Sequence, residues 1–354
     1  MLAIPIPFVV AMLFALIAVT LYLRHSQHAK TACGFLLLCC ITTSTVGLRW
    51  SLPLPIFHYL QPILASMIPV AAWLTFAHAT TNRYSKMHVI APFIIALTLL
   101  VQAQIALPVD LILTLIYVIY GGALIRQACR SKVMVNVSLG HWESVKRSQL
   151  IAGFSLLLSA AVDAAISIDF AINQGAYATY ILTIAHLILL PILSVAVITT
   201  AINTTTEPAD SALELPTGKT LDKSAETKIE DNSLSKQKAH EIVQALDDNM
   251  RLKSSYLDPE LTLSKLSRKL GYPAKQISMA VNQIHQRNIS KLINEYRIKH
   301  AQQALTETKD SVTQISLNCG FQSKSNFNRE FSRVSGMTPT QYRTLQLGNG
   351  LTNT

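Results

Sequence analysis

The sequence predicts an all-α protein, in which a seven-helix transmembrane bundle is followed by a cytoplasmic all-helical domain with two helix-turn-helix units. Three observations lead there. Apolar stretches long enough to cross a bilayer fill residues 1–202, and the basic residues between them alternate from side to side. A helical hydrophobic period, punctuated by glycines, then returns over residues 238–346. Composition divides at the same place. Half of the 354 residues are hydrophobic and 14% are charged, yet the formal net charge is +10. Soluble chains usually carry about 25% charged residues. Residues 1–206 hold 10 Lys/Arg and 4 Asp/Glu, and residues 207–354 hold 20 and 16.

Seven apolar stretches cover residues 4–23, 32–49, 57–79, 88–106, 109–125, 149–170 and 177–200. At 1.5 Å per helical residue each matches a hydrocarbon core of about 30 Å. The first has no basic residue before it, and its positive charge follows at Arg24 and Lys30. That order reads as a retained span with an outside N-terminus and not as a signal peptide. The loops after spans one, three and five carry nine Lys/Arg (Arg24, Lys30, Arg83, Lys86, Arg126, Arg130, Lys132, Lys146, Arg147), whereas those after spans two, four and six carry only Arg49. This positive-inside bias and the odd span count agree, and both put everything after about Thr200 in the cytoplasm. The second span, rich in Thr and Ser, and the fifth, with Gly121 and Gly122, are the weakest of the seven.

Polar residues at membrane depth are His58, Gln61, His78, Gln102, Asp163 and His186. An ionisable side chain there is costly and marks a functional position by default. Asp163 lies deepest, between the apolar runs Leu156–Ala161 and Ala164–Ile168. It reads either as an interhelical hydrogen-bond partner or as a proton- or ligand-sensing group, with His58 and His186 as further intramembrane sensing candidates. His58 and His78 fall near the ends of span three, where contact with the interface is the simpler reading. Pro62 and Pro69 could bend that span and open a cavity. The outer loops are short, so a signal would be small, lipidic or sensed within the bundle.

Residues 203–237 form a polar linker with mixed charge and little to bury. A flexible tether of about 30 residues has an r.m.s. reach near 30 Å. Residues 347–354 read as a disordered tail.

Over residues 238–253 one stripe carries Ile242, Val243, Leu246 and Met250. Thr262 can cap a short helix with Leu263, Leu266 and Leu270, which Gly271 ends. A second helix, 274–285, points Ile277, Ala280, Val281 and Ile284 inward. The pattern repeats after a long helix over 290–307. Asp310 can cap Val312–Asn318, Gly320 makes the turn, and Ser323 caps Lys324–Val334, whose Phe327 and Phe331 share one face and read as core. Thr338-Pro339-Thr340-Gln341 is a further helix start. Between Thr262 and Arg343 there are 13 Lys/Arg against 4 Asp/Glu, an excess suited to phosphate contacts.

Residues 261–345 resemble the DNA-binding domain of the AraC/XylS family of bacterial transcription regulators. The resemblance rests on Ile315-Ser316-Leu317-Asn318-Cys319-Gly320-Phe321, on Ser325-Asn326-Phe327-Asn328-Arg329-Glu330-Phe331-Ser332-Arg333, on Gly336, Thr338, Pro339, Tyr342 and Arg343, and on Tyr296-Arg297, Ala301 and Leu305. It implies a module that places two recognition helices in successive major grooves of double-stranded DNA at promoter sites. The second helix offers Lys324, Ser325, Asn328, Arg329 and Arg333; Arg329 and Lys324 have the best chemistry for base edges and phosphates. The first offers Lys275, Gln276, Ser278, Met279 and Asn282, and departs from the family in carrying Met279 where an arginine is common and Arg287-Asn288 where a glycine is.

The family further implies activation through contact with RNA polymerase, and the spans together with a bacterial DNA-binding domain point to the bacterial inner membrane. Homodimerisation would use the bundle or the 238–253 helix, and the signal, a small molecule or a membrane property, is unspecified. The five cysteines lack metal-ligand or disulfide spacing, and there is no catalytic constellation or phosphate-binding glycine loop. The sequence therefore points to no enzyme activity, metal or cofactor. A transporter, or a scaffold anchoring a chromosomal locus, is the alternative from another class. Alkaline phosphatase fused after spans two, four and six is expected to be active, and fused at the C-terminus inactive. Activity at the C-terminus would overturn the seven-span topology.

Overall fold

The computed structural model describes residues 6–24, 30–52, 54–80, 86–101, 108–130, 134–204 and 234–351. Every regular element among them is helical. The chain divides into two compact units: one from the described residues up to 136 together with 143–204, the other from 137–142 together with the described residues from 234 onward.

The first unit contains α1 (Ile6–Arg24), α2 (Lys30–Ser51), α3 (Ile56–Thr80), α4 (Ile90–Val101, entered through a 3-10 turn at Lys86–Val89), α5 (Val109–Arg130), α6 (Trp142–Asn173) and α7 (Ala178–Ile202). Six of these are long and apolar enough to cross a membrane. The shorter apolar helix spans Met87–Val101, and residues 102–106 of the expected fourth span lie outside the described residues. Large apolar side chains such as Leu16, Phe93, Leu100 and Ile172 are exposed at 62, 64, 78 and 73%. Such exposure is costly in water and natural against lipid. The buried side includes Phe14, Phe35, Leu36, Phe76, Leu124, Leu156 and Val197.

Gly121, a weak point of the fifth span on sequence grounds, has a packing reason. A Cβ there would lie 3.0 Å from the Gly153 carbonyl, and one on Gly153 would lie 2.6 Å from Ile125 and 3.0 Å from the Gly121 carbonyl. The two glycines let the α5 and α6 backbones approach, which is how small residues hold membrane helices together. Polar side chains add a second tie: Gln149 donates to Gln127 (2.9 Å), which donates to Thr80 (2.8 Å), linking α6, α5 and α3. Helix α6 begins seven residues before the expected span. Trp142–Ser148 holds neither Gly nor Pro, so nothing breaks the helix at the apolar edge.

The second unit contains α8 (Lys236–Lys253), α9 (Leu263–Leu270), α10 (Ala274–His285), α11 (Ile289–Glu307), α12 (Val312–Asn318), α13 (Lys324–Ser335) and α14 (Pro339–Leu351). Ile242, Leu246 and Met250 of α8 are fully buried, as their stripe requires. Thr262 caps α9 by accepting from the Lys265 amide (3.1 Å), and Ser323 caps α13 by accepting from the Asn326 amide (3.3 Å). At α14 the capping box is reciprocal: the Gln341 amide donates to Thr338 Oγ1 (3.3 Å) and the Thr338 amide to Gln341 Oε1 (3.0 Å).

Three starts and one end differ from the sequence reading. Asn288 caps α11, two residues before Ser290. Ser311, and not Asp310, caps α12, because the Asp310 backbone is held by Arg343 (Nη2 to carbonyl, 2.7 Å). Helix α8 starts two residues early, at Lys236. Helix α14 runs to Leu351, into the stretch expected to be a disordered tail, since propagation from a capped start needs only one favourable step per residue.

Phe321, Phe327 and Phe331 are at most 1% exposed, and with Tyr342 they form a run of ring contacts at 5.2–5.5 Å. Burial of each such side chain is worth about 1.5–3 kcal/mol. Above Phe321 lies Arg297 of α11, 1% exposed, its guanidinium 5.6 Å from the ring centroid. Its Nε donates to the Tyr256 carbonyl (2.7 Å) and its Nη2 to the Asp258 carbonyl (2.8 Å). Burial pulls its pKa down to about 10, against an opposing pull from Asp258, so it stays charged at neutral pH. The turn after α12 is equally constrained. Gly320 has φ +81°, and a Cβ there would lie 2.7 Å from the Leu257 carbonyl oxygen. At Gly271, φ is +72° and the space beside it is open.

Gly271→Ala should cost about 1 kcal/mol, the left-handed penalty alone. Gly320→Ala should cost more than about 2 kcal/mol, because the penalty and the overlap add. Arg297→Ala, which removes two charge-assisted hydrogen bonds to part-buried carbonyls and the contact with Phe321, should cost about 3 kcal/mol. Thermal unfolding of the purified full-length variants checks the order; equal losses at the two glycines would contradict the packing described for Gly320.

Candidate nucleic-acid interface

Two helix pairs, α9–α10 and α12–α13, each turn at a glycine in the left-handed region, Gly271 and Gly320, and α11 connects them. In α13 the inward side carries Phe327, Glu330 and Phe331, all at most 4% exposed, with Asn326 at 7%. The outward side carries Lys324, Ser325 and Arg329, all exposed, with Asn328 half-buried. These four sequence candidates therefore share one accessible side of the helix.

Their electrostatic settings differ. Arg329 donates from Nη2 to Asn326 Oδ1 (2.8 Å) and lies 3.5 Å from Glu330, while its side chain remains 42% exposed. That geometry orients a guanidinium without covering it. Arg333 is engaged instead, donating to Glu330 (3.0 Å), Glu295 (3.2 Å) and the Lys291 carbonyl (3.4 Å). Burial works against its charge, but the Glu330 and Glu295 carboxylates outweigh it and raise its pKa. It ties α13 to α11.

In α10, Lys275 and Asn282 are exposed, and Gln276 and Met279 are half-buried. Ser278 is a correction to the sequence reading: it is only 6% exposed and cannot be a surface contact in this arrangement. It lies beside Ile277 and three residues before Val281, inside the arc that packs against other helices.

The basic excess also shrinks on inspection. Arg297 is buried, Arg287 pairs bidentately with Glu295, and Arg343 donates to the Leu305 carbonyl (3.2 Å) at the end of α11. Sequence reasoning counted these three with the phosphate-facing cations. Asn326 and Glu330, which the sequence marks only as part of a family motif, are the two buried polar groups of α13 on which Arg329 and Arg333 lean. Their positions, one residue before Phe327 and one before Phe331, put them at the margin of the apolar stripe, which is the one signal the sequence offered.

In the first unit, Asp163 lines a crevice of about 80 Å³ between helices, together with Thr42, Leu113, Tyr117, Ser159 and Leu189. Among the described residues no side chain bonds to its carboxylate. His58 is exposed in the first turn of α3 and is not among the residues that line the crevice. The side chain of His186 lies outside the described residues. Neither Trp73 nor His88 stands out in the sequence as a site residue. The Trp73 indole N–H donates to His88 Nε2 (2.9 Å), which leaves Nδ1 of a neutral ring to donate to Tyr120 (2.9 Å). Among the described residues no three His, Cys, Asp or Glu side chains come together as a metal site.

Residues 266–344 match the family model described as a helix-turn-helix domain. Over 101 residues the chain is 32% identical to a Staphylococcus aureus protein described as an uncharacterized HTH-type transcriptional regulator; the match covers 27% of this chain and 14% of that protein. It is 31% identical over 88 residues to the melibiose operon regulatory protein of Escherichia coli K12, covering 25% of this chain and 29% of that one. The chain thus spans 14% and 29% of the length of these two relatives. A solved transcriptional regulator with an AraC-type DNA-binding domain, from Chromobacterium violaceum, is 26% identical and covers 32% of this chain and 94% of its own, with a TM-score of 0.26. These relatives are regulators and not enzymes. The chain joins apolar helices of membrane-crossing length to a C-terminal helical domain of the helix-turn-helix regulatory type.

Proposed function

We propose that this chain is a membrane-embedded, sequence-specific DNA-binding regulator of the AraC/XylS type, which couples a membrane or envelope signal to transcription. The observation that carries the reading is the presence, in one chain, of six membrane-length helices and a helix-turn-helix domain over residues 266–344. A bilayer-bound protein with that domain must bring its promoter to the membrane.

In this reading residues 1–202 are a seven-span domain with its N-terminus outside, 203–237 a tether, and 238–346 a cytoplasmic double helix-turn-helix domain. Helix α13 is the second recognition helix, with Arg329 and Lys324 reading base edges and phosphates and Ser325 and Asn328 beside them. Helix α10 is the first, using Lys275, Gln276, Met279 and Asn282. The half-buried Met279 favours apolar contact with thymine methyls over hydrogen-bonded readout. The protein acts as an activator through RNA polymerase. The crevice at Asp163 is the sensing site: a carboxylate without a side-chain partner in apolar surroundings answers strongly to a proton or a cationic amphiphile.

Chromatin immunoprecipitation of tagged full-length protein, beside a Lys324→Ala/Arg329→Ala variant, tests the reading. Discrete promoter peaks should be lost in the variant while its amount in the membrane is unchanged. Absence of wild-type peaks across growth conditions would shift the assignment to a transporter or scaffold. On a recovered duplex, the double variant should also reduce the slope of log affinity against log salt by about 1–2.

A further inference from the structure

The second unit includes a short segment from elsewhere in the chain. Val137–Trp142, which follows α5 in sequence and ends in the first residue of α6, belongs to the same compact unit as α8–α14. It is deeply buried there: Val137 and Leu139 are 0% exposed, Ser138 4% and Trp142 6%.

Its bonds reach three separate elements of that unit. Ser138 forms an antiparallel bridge with Thr262, the cap of α9, and the Leu139 amide donates to the Leu261 carbonyl (2.9 Å). Ser290, at the start of α11, donates from its hydroxyl to the Leu139 carbonyl. Asn326, in the first turn of α13, donates from Nδ2 to the Gly140 carbonyl (2.7 Å). The segment's own turn is closed by His141 N to the Ser138 carbonyl (2.9 Å) and by Ser138 Oγ against His141 Nδ1 (3.1 Å). Gly140 fits closely, since a Cβ there would lie 3.2 Å from Arg297 Nη1 and 3.6 Å from Asn326 Nδ2.

We propose that residues 137–142 are an intramolecular ligand of the DNA-binding unit, a brace that fixes the two helix pairs in the spacing needed to enter successive major grooves. The brace touches the first pair through α9, the second through α13, and α11 between them. Two modules that engage one duplex gain affinity over either alone only when their geometry permits simultaneous contact. A segment that holds this geometry beforehand lowers the ordering cost of binding. The same contact reaches a reading residue: Gly140 holds Asn326 through Nδ2, and Asn326 Oδ1 in turn holds the Arg329 guanidinium at 2.8 Å.

This inference rests on the DNA-binding reading above, and its test separates the two. Full-length protein in lipid nanodiscs carries Leu139→Ala, Gly140→Leu or Ser290→Ala. Binding is measured to a duplex recovered by immunoprecipitation of the wild type, and to that duplex cut to a single major-groove site. The brace requires each variant to lose about tenfold or more on the long duplex and less than about twofold on the short one. Wild-type affinity on the long duplex would overturn it, and so would tighter binding, which would make the segment an inhibitor. A loss equal on both duplexes would mean general damage to the fold and overturns it too. Hydrogen exchange of the wild type supplies an arm independent of DNA. The Leu139 amide should be protected to the level of α11, and exchange at the rate of an open loop would sink the proposal. If the wild type recovers no duplex at all, the regulator reading fails while the exchange result still decides whether the segment is seated.

Discussion

A guanidinium with almost no contact with water is the constraint on which the C-terminal unit depends. Arg297 must be charged at neutral pH, and a buried charge without partners would cost more than the unit could bear. Its partners are backbone carbonyls of Tyr256 and Asp258, in the stretch between α8 and α9, and the face of Phe321, just past the turn after α12. Three stretches far apart in sequence therefore have to meet at one point. Gly320 lets the last of them come close, since any side chain there would collide with the Leu257 carbonyl beside the same contacts. The aromatic run from Phe321 to Tyr342 packs outward from this point and carries α13 and α14 with it.

Local rules made much of this legible. Thr262, Gly271, Ser323 and the Thr338–Gln341 box each act within a few residues of themselves, so their roles could be read from spacing alone. Phe327 and Phe331 were identifiable as core because they share a helix face. What stayed hidden depends on partners distant in sequence. Arg297 looked like one more basic residue, since nothing near it reveals that its donors point at residues 256 and 258. Ser278 looked exposed because a small hydroxyl is compatible with either side of a helix edge. Asp310 looked like a cap until Arg343, 33 residues on, is seen to hold its carbonyl. The Gly121–Gly153 approach was invisible for the same reason: each glycine is explained only by the other.

The charge arrangement on α13 follows from a division of labour between adjacent positions. Glu330 is nearly buried and lies against both Arg329 and Arg333, so one carboxylate serves two cations that have different fates. Arg333 is held by a second carboxylate as well and is committed to the scaffold, whereas the Arg329 side chain stays 42% exposed. A positive count therefore overstates the charge that a polyanion would meet, and the surface cations that matter are those whose carboxylate partners are few.

Three covalent connections join the C-terminal unit to the rest of the chain, one at Asn136–Val137, one through α6 at Trp142–Glu143 and one through the polar sequence after Thr204. They differ in a property that length alone does not capture. A helix carries rotational phase: each residue added or removed between Trp142 and Ser148 turns Trp142 by about 100° around the α6 axis relative to Asp163. At that step the side chain that closes the buried 137–142 segment would face a different direction. This seven-residue stretch of helix is therefore where the chain has least freedom to change its length, although its own sequence, charged and without a single glycine or proline, looks like the most replaceable part of α6.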